Sequence, residues 1–288
     1  MNTELPSTYF LSPEQRQFYE ENGYLVIKGF IDFASLYTYK QRFSQITSRN
    51  VDRGSMRIVK EKKLISQGLT GEDVINKISE IHYDEVFMSY TEHPRLIHVI
   101  SQFIGDDMRV MNSMVINKPP GSVSHPPHQD LFYFPFRPAE KIIAAWTAVD
   151  DATIENGCLY IVPKSHKRNI MYKHGNIEDA TNVLYHGILD QAVASEPRFY
   201  LEMSPGDTVF FHPLVVHGSG PNTTQRYRKS MTAHYAAADV HYIDVRGSIQ
   251  EDLAKETEEL VKKYGLHMSY AELWQLKSKE VTRVKSKL

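Results

Sequence analysis

The chain has 288 residues, 41% of them hydrophobic and 11% aromatic, enough to bury a large core without division, since barrels and sandwiches of this length are often one domain. Thirty-three Lys+Arg against thirty-five Asp+Glu leave a net charge of -2, so no global field favours nucleic acid or an anionic membrane surface, and an anionic ligand needs local cations. A single cysteine, Cys158, excludes an internal disulfide framework; no apolar run reaches membrane-span length, and "MNTELPSTYF" lacks the basic and apolar regions of a secretory signal.

In chain order, "SPEQ" at Ser12 supplies an N-cap, a proline at the first helical position and Gln15 three residues on, and predicts a helix ending at Asn22-Gly23. "YLVIKGF" reads as a short strand. "DFASLYTYKQRFSQI" places Leu36, Tyr39, Phe43 and Ile46 on one helical face. The basic run "RIVKEKKLISQG", residues 57 to 68, reads first as a solvated segment and otherwise as a lid or patch for a phosphorylated substrate. From about residue 108 the texture changes to β-prone runs between turn residues: "MRVMNSMVIN", "KIIAAWTAVD", "GCLYIVP", "RFYLEM", "DTVFFHP" and "KSMTAHYAA". These predict a mainly β protein with flanking helices, a sandwich or jelly-roll barrel rather than a parallel α/β sheet. "EDLAKETEELVKKYG" is a charged amphipathic helix, and no linker forces a boundary. One domain over 1–288 is expected: a helical part about 12–105, a barrel about 106–245, and a C-terminal helix and tail 250–288. The last residues, Ser286, Lys287 and Leu288, match the S-K-L address of the peroxisomal import receptor, which predicts a peroxisomal location. The sequon at Asn222-Thr223-Thr224 is read as a chance match.

The chemistry concentrates in "HPPHQDLFYFPFRP". On an extended backbone His128 and Asp130, at i and i+2, leave the same face and can converge on one point. A third ligand must come from elsewhere, and "GDTVFFHPLVVHGSG" offers His212 and His217. Two imidazoles and one carboxylate form a facial triad that leaves iron(II) positions open to dioxygen and a co-substrate. A closed zinc site would want a fourth protein ligand, usually a cysteine, and Cys158 alone cannot complete it. His125 reads as a turn residue beside the site. The other nine histidines, His234 among them, read as surface or hydrogen-bonded core residues. An anion anchor follows at Arg226 or Arg228, and spacing leaves both open; a guanidinium there would grip the far carboxylate of 2-oxoglutarate in two points.

Over most of residues 12 to 250, "EQRQFYEENGYLVIKGF", "MVINKPP", "HPPHQDLFYFPFRP", "AAWTAVDDATIENGCLYIVPKSHK", "GDTVFFHPLVVHGSG" and "RKSMTAHYAAADVHYIDV" resemble the phytanoyl-CoA dioxygenase family. The resemblance implies a double-stranded β-helix (jelly-roll, cupin-like) fold. It implies iron ligation by His128, Asp130 and His217, and 2-oxoglutarate contacts at Lys77, Met114, Gln129, Trp146, Ser219 and Arg228. It also implies dioxygen as oxidant, ascorbate as reductant, and hydroxylation at carbon 2 of a 3-methyl-branched fatty acyl-CoA, the first step of fatty acid α-oxidation. Each co-substrate residue has a structural alternative: Met114 and Trp146 as core, Ser219 as a turn residue, Lys77 as a solvated helix residue. Phe132, Tyr133 and Phe134 are candidates for the acyl chain or for the core. Other classes that fit the same residues are a zinc hydrolase and a non-catalytic acyl-CoA-binding jelly roll.

Overall fold

The structure is a computed structural model that describes residues 6–177 and 186–282; the Ser286–Leu288 tripeptide lies outside them. The helix Pro13–Asn22 starts with both hydrogen bonds of the Ser12/Gln15 capping box and stops at Gly23, whose φ of 80° suits glycine. The strand Tyr24–Ile27 follows, then the helix Phe33–Thr47, capped by Asp32 and burying Leu36, Tyr39, Phe43 and Ile46 as the periodicity requires.

Two antiparallel sheets build the barrel. The large one has eight strands, in the order Tyr24–Ile27, Thr208–Phe211, Ile142–Ala148, Arg228–Ala237, Asp107–Lys118, Ile75–Ser79 and Arg57–Lys60, with Lys279–Thr282 joining Asp107–Lys118 off this path. The small one has four, in the order Phe199–Leu201, Leu159–Ile161, His217–Ser219 and His125–His128. Alternation sorts the residues of the large sheet onto two faces. Ile143, Ala145, Phe210, Met231, Ala233 and Tyr235 point outward, under Leu36, Phe43, Phe87, Leu96 and Ile100 of the helices. Ala144, Trp146, Val209 and Phe211 point inward, against Leu159, Ile161, Leu201 and Val215. Two packed sheets with helices outside one of them make the double-stranded β-helix expected from the sequence.

The N-terminal third is less purely helical than its sequence texture predicts. "DVINKISEIH" is not helical at Lys77 but forms the strand Ile75–Ser79, paired with Arg57–Lys60 across the basic run. Of the aromatic stretch after Asp130, Leu131, Phe132, Phe134 and Phe136 are core, packed with Leu253, Tyr270 and Trp274 of the C-terminal helices. Asn222 is 1% exposed, so its amide is out of reach of a glycan. That amide donates to the Lys118 and Arg226 carbonyls at 2.8 and 2.7 Å and accepts from the Thr224 N–H at 3.0 Å, closing the turn that leads into Arg228. Asn222→Ala is expected to strand these groups and to lower unfolding free energy by roughly 1–3 kcal/mol, read as a shift in the urea midpoint at constant slope.

Candidate metal centre and co-substrate pocket

His128 ends the strand His125–His128, and Gln129, with φ −121° and ψ 130°, continues extended to Asp130, so His128 and Asp130 share a face as their spacing requires. His217 is the direct register partner of His128 on the neighbouring strand, which puts both imidazoles on that face. The ligand atoms of His128, Asp130 and His217 lie within 4.8 Å of one another. The Asp130 Oδ1 is 3.6 Å from Nε2 of His128 and 3.7 Å from Nε2 of His217. An ion about 2.1 Å from each donor would hold neighbouring donors roughly 3 Å apart, so a small inward movement of these side chains encloses a first-row cation.

Tautomers are set by the backbone. Nδ1 of His128 donates to the Pro126 carbonyl at 2.9 Å and Nδ1 of His217 to the Val215 carbonyl at 3.0 Å, so both Nε2 lone pairs face Asp130. Burial, with His128 nearby, pulls the His217 imidazole down to about 4. Burial opposes ionisation of Asp130, but the surrounding imidazoles, His234 foremost, hold its carboxyl well below the usual range. A neutral His217 imidazole beside an ionised Asp130 carboxylate is the protonation pattern that a divalent cation requires.

His234 is the residue the sequence reading left among the ordinary histidines. It is 4% exposed, and its Nε2 hydrogen-bonds the Asp130 Oδ2 at 2.9 Å, which leaves Oδ1 turned to the two imidazoles. The alternation of "KSMTAHYAA" is the signal that pointed to it: Arg228, Ser230, Thr232 and His234 share one face. His212 stays outside the cluster; its Nδ1 accepts from the Leu214 N–H and its ring lies 5.4 Å from His166. The ring of His125 stacks on His128 at 4.2 Å, beside the site.

The inward face of Arg228–Ala237 and of its two neighbouring strands also carries several of the residues expected from the sequence to contact a co-substrate. Thr232 is flanked in register by Met114 on one side and Trp146 on the other. The Arg228 guanidinium lies 5.4 Å from the Trp146 ring and donates to Ser230 Oγ at 2.9 Å and the Gly157 carbonyl at 2.6 Å. A Cβ at Gly157, whose φ is 82°, would overlap the Gly220 carbonyl, so glycine is needed where this carbonyl meets the arginine. Arg226, the rival anchor, is exposed in the turn before the strand. Nε1 of Trp146 is buried without a hydrogen-bond partner among the described residues, an unfilled donor that suits an acceptor-rich ligand. Ser219 is buried two positions from His217, and Lys77 points inward in register with Ile116.

Gln129 is not brought to this pocket. Its side-chain amide donates to the Leu214 and Ile170 carbonyls at 2.8 and 2.9 Å and accepts from the Tyr172 N–H at 2.9 Å, holding the 170–172 segment against the barrel. Two surface grooves of about 920 and 1130 Å³ are lined by none of His128, Asp130, His217 or Arg228. The site is defined by donor geometry instead.

A jelly roll carrying two inward imidazoles and one carboxylate is the architecture of mononuclear non-haem metal oxygenases. The phytanoyl-CoA dioxygenase (PhyH) family model matches residues 19–230, and the chain belongs to that family. It is 41% identical to the probable phytanoyl-CoA dioxygenase of Caenorhabditis elegans, over 96% of this chain and 95% of that protein. It is 39% identical to the peroxisomal phytanoyl-CoA dioxygenase of Homo sapiens, over 88% of this chain and 77% of that one. Among solved structures, the epimerase SnoN in complex with Fe3+, alpha ketoglutarate and nogalamycin RO aligns with a TM-score of 0.61 at 22% identity, over 81% of this chain and 86% of that one. EvdO2 from Micromonospora carbonacea, complexed with 2-oxoglutarate, aligns with a TM-score of 0.63 at 18% identity, over 82% and 94%.

Two outcomes are expected. His234→Phe should weaken binding of Co(II), used as an air-stable probe, by 10- to 100-fold and alter its visible spectrum, while His234→Gln, which keeps a donor near Nε2, restores both. The second concerns His174, whose Nε2 accepts from the Gln129 N–H at 2.9 Å and whose imidazole burial pulls down to about 3. The unfolded chain takes this proton near pH 6.5 and the folded chain refuses it until far lower. The stability from His174 is therefore complete above pH 6.5 and falls as the pH drops toward 3, by up to about 1.4 kcal/mol per unit. Denaturation midpoints of metal-free protein at pH 7.5 and 5.0 should show a smaller fall in His174→Gln.

Proposed function

We propose that this protein is an Fe(II)- and 2-oxoglutarate-dependent dioxygenase that hydroxylates carbon 2 of 3-methyl-branched fatty acyl-CoA, phytanoyl-CoA being the type substrate. The single observation that carries the reading is the convergence of His128, Asp130 and His217 in one barrel with an inward arginine, Arg228, on the adjoining sheet. The names of the relatives supply the substrate class. Residues 1–288 act in this reading as one oxygenase domain.

His128, Asp130 and His217 hold the iron on one side and leave its other side to co-substrate and dioxygen. Bound there, iron supplies the redox chemistry that couples decarboxylation of 2-oxoglutarate to succinate with hydroxylation of the substrate, and ascorbate keeps it ferrous. Arg228 grips the far carboxylate, backed by Ser230 and Gly157. Trp146 Nε1 donates into the pocket, Met114 and Thr232 wall it, and Ser219 and Lys77 line its rim. Gln129 contributes at one remove, by fixing the 170–172 segment. His234 holds Asp130 in its ligating orientation. A zinc hydrolase gains nothing from Arg228, and neither does a passive acyl-CoA carrier.

The location is the peroxisomal matrix, with the import receptor as partner. Support comes from the peroxisomal naming of the relatives and from the Ser286-Lys287-Leu288 tripeptide, a signal only if Leu288 carries the free carboxylate.

Purified protein given Fe(II), ascorbate, 2-oxoglutarate and a 3-methyl-branched acyl-CoA should release succinate and 2-hydroxyacyl-CoA in equal amounts; no succinate with any branched acyl-CoA overturns the reading. Arg228→Ala should raise KM for 2-oxoglutarate about 30-fold or more, equivalent to roughly 2 kcal/mol of lost charged hydrogen bonding.

A further inference from the structure

The basic run near residue 60 has no part in the chemistry described so far. Its strand, Arg57–Lys60, is the free edge of the large sheet. Arg57 pairs in register with Ser79, and Ser79 with Met114; Val59 pairs with Lys77, and Lys77 with Ile116. Cross-strand partners project to the same face, so Arg57, Lys77 and Ser79 form an outward continuation of the interior face that carries Met114. Ile58 and Ile78, on the alternate positions, pack under the helices.

Lys277 reaches the same place from the other end of the chain. Its carbonyl accepts from His82 Nε2 at 2.8 Å and Tyr83 Oη at 3.0 Å, pinning the end of the helix Tyr270–Lys277 against the sheet, and its ammonium lies 3.4 Å from the centre of the Trp274 ring. Counter-charge is scarce. Glu80 is 3.9 Å from Arg57 and 3.8 Å from Lys277, beyond hydrogen-bonding distance of both. Glu80 is also held at a φ of 59°, a left-handed conformation that costs a non-glycine residue about 1 kcal/mol or more. Glu61 is turned inward, its carboxylate accepting from the Val123 N–H at 2.7 Å and Asn76 Nδ2 at 3.4 Å. Lys60, Lys62 and Lys63 make no ion pair among the described residues. Ser79 Oγ, on a side chain 2% exposed, has no hydrogen-bond partner among them. Burial pulls the Lys77 and Lys277 ammoniums down to about 8 each, as expected where cations crowd one acid. In a chain of net charge -2 this edge is a concentrated positive field.

We propose that this edge, centred on Arg57 and Lys277, with the exposed Lys60 and Lys63 that follow in the chain adding to its positive field, seats the phosphate groups of the substrate's coenzyme A, a proposal that rests on the acyl-CoA reading above. Lys77 borders the co-substrate pocket on the inward side, so a thioester entering there leaves its pantetheine arm directed across the last two strands toward the cationic edge. The acyl chain alone would not need such a field. A nucleotide-phosphate tail does.

The test compares one branched acyl group presented as its coenzyme A thioester and as its N-acetylcysteamine thioester, which lacks phosphate. In Arg57→Ala/Lys277→Ala, KM for the coenzyme A ester should rise at least tenfold, with KM for 2-oxoglutarate and turnover of the N-acetylcysteamine ester unchanged. Arg57→Lys should recover most of the difference. Lys277 packs on Trp274, so Lys60→Glu/Lys63→Glu, two exposed positions, provides a second variant with intact packing and the same expected selectivity. Calorimetry with free coenzyme A should show the matching loss of affinity, and added NaCl should weaken binding in the native protein more than in the variants. Equal changes for both esters, or none, overturn the subsite. Absence of turnover with either ester in the native protein would instead count against the oxygenase reading, and coenzyme A calorimetry on the charge-reversed variant would still decide the subsite by itself.

Discussion

The site depends on the pairing register of one strand. Arg228–Ala237 is hydrogen-bonded to Asp107–Lys118 on one side and to Ile142–Ala148 on the other, and is buried along its whole length. With both edges fixed, period two leaves no freedom: Arg228, Ser230, Thr232 and His234 face the barrel, while Met231, Ala233 and Tyr235 face the helices. A slip of one residue would send the anion anchor and the support of Asp130 into the helix layer, and Met231 and Tyr235 into the pocket. The hydrophobic contacts that fix the register are thus a condition of the chemistry. They involve Met231, Ala233 and Tyr235, none of which approaches a ligand.

Burying cations inside the barrel costs several kcal/mol for each one removed from water, and the structure offsets this with dipoles. Lys118, the register partner of Arg228, donates to the Val123 and Gly220 carbonyls at 2.6 and 2.7 Å, and burial together with Arg228 pulls its ammonium well down. Arg228 leans on Ser230 and the Gly157 carbonyl. Both lysine contacts and one arginine contact are to carbonyls in the turns 119–124, 154–158 and 220–222. The conformation of those turns, glycine at 157 and the buried Asn222 included, is set by where the cations must sit.

How much of this was legible in sequence follows from how local each feature is. The capping box at Ser12, the helical stripe Leu36–Ile46 and the i, i+2 pair His128/Asp130 are decided by neighbours within a few residues, and these stand as read. His234 was legible only in part: strand alternation puts it on the face of Arg228, but its role comes from the fold that brings Asp130 to it, 104 positions away. The fate of Gln129 is equally non-local, because the carbonyls that absorb its amide belong to Ile170 and Leu214. The helical alternative for Lys77 fails because "DVINKISEIH" has mixed periodicity, and pairing with both Arg57–Lys60 and Asp107–Lys118 makes it a strand. Spacing left Arg226 and Arg228 both open; in the fold Arg226 lies exposed in the turn that Asn222 closes and Arg228 is buried on the strand that follows.

The buried charges also bear on how the ligands enter. Beside the metal centre the ionised Asp130 carboxylate stands against the Arg228 guanidinium, one charge of each sign, so the site is near neutrality by itself. A divalent cation alone adds two positive charges to a poorly screened interior, and a dianionic keto acid alone adds two negative ones. Together they restore neutrality. Iron and 2-oxoglutarate are therefore expected to favour each other's binding through this balance, in addition to direct chelation. Arg228 is then expected to act on the metal as well as on any carboxylate bound beside it: without its charge the loaded interior carries one negative charge too many, and the penalty is shared by every group in the site. The cationic edge at Arg57 and Lys277 lies partly in water and is outside this balance, which leaves it available to a ligand that stays half solvated.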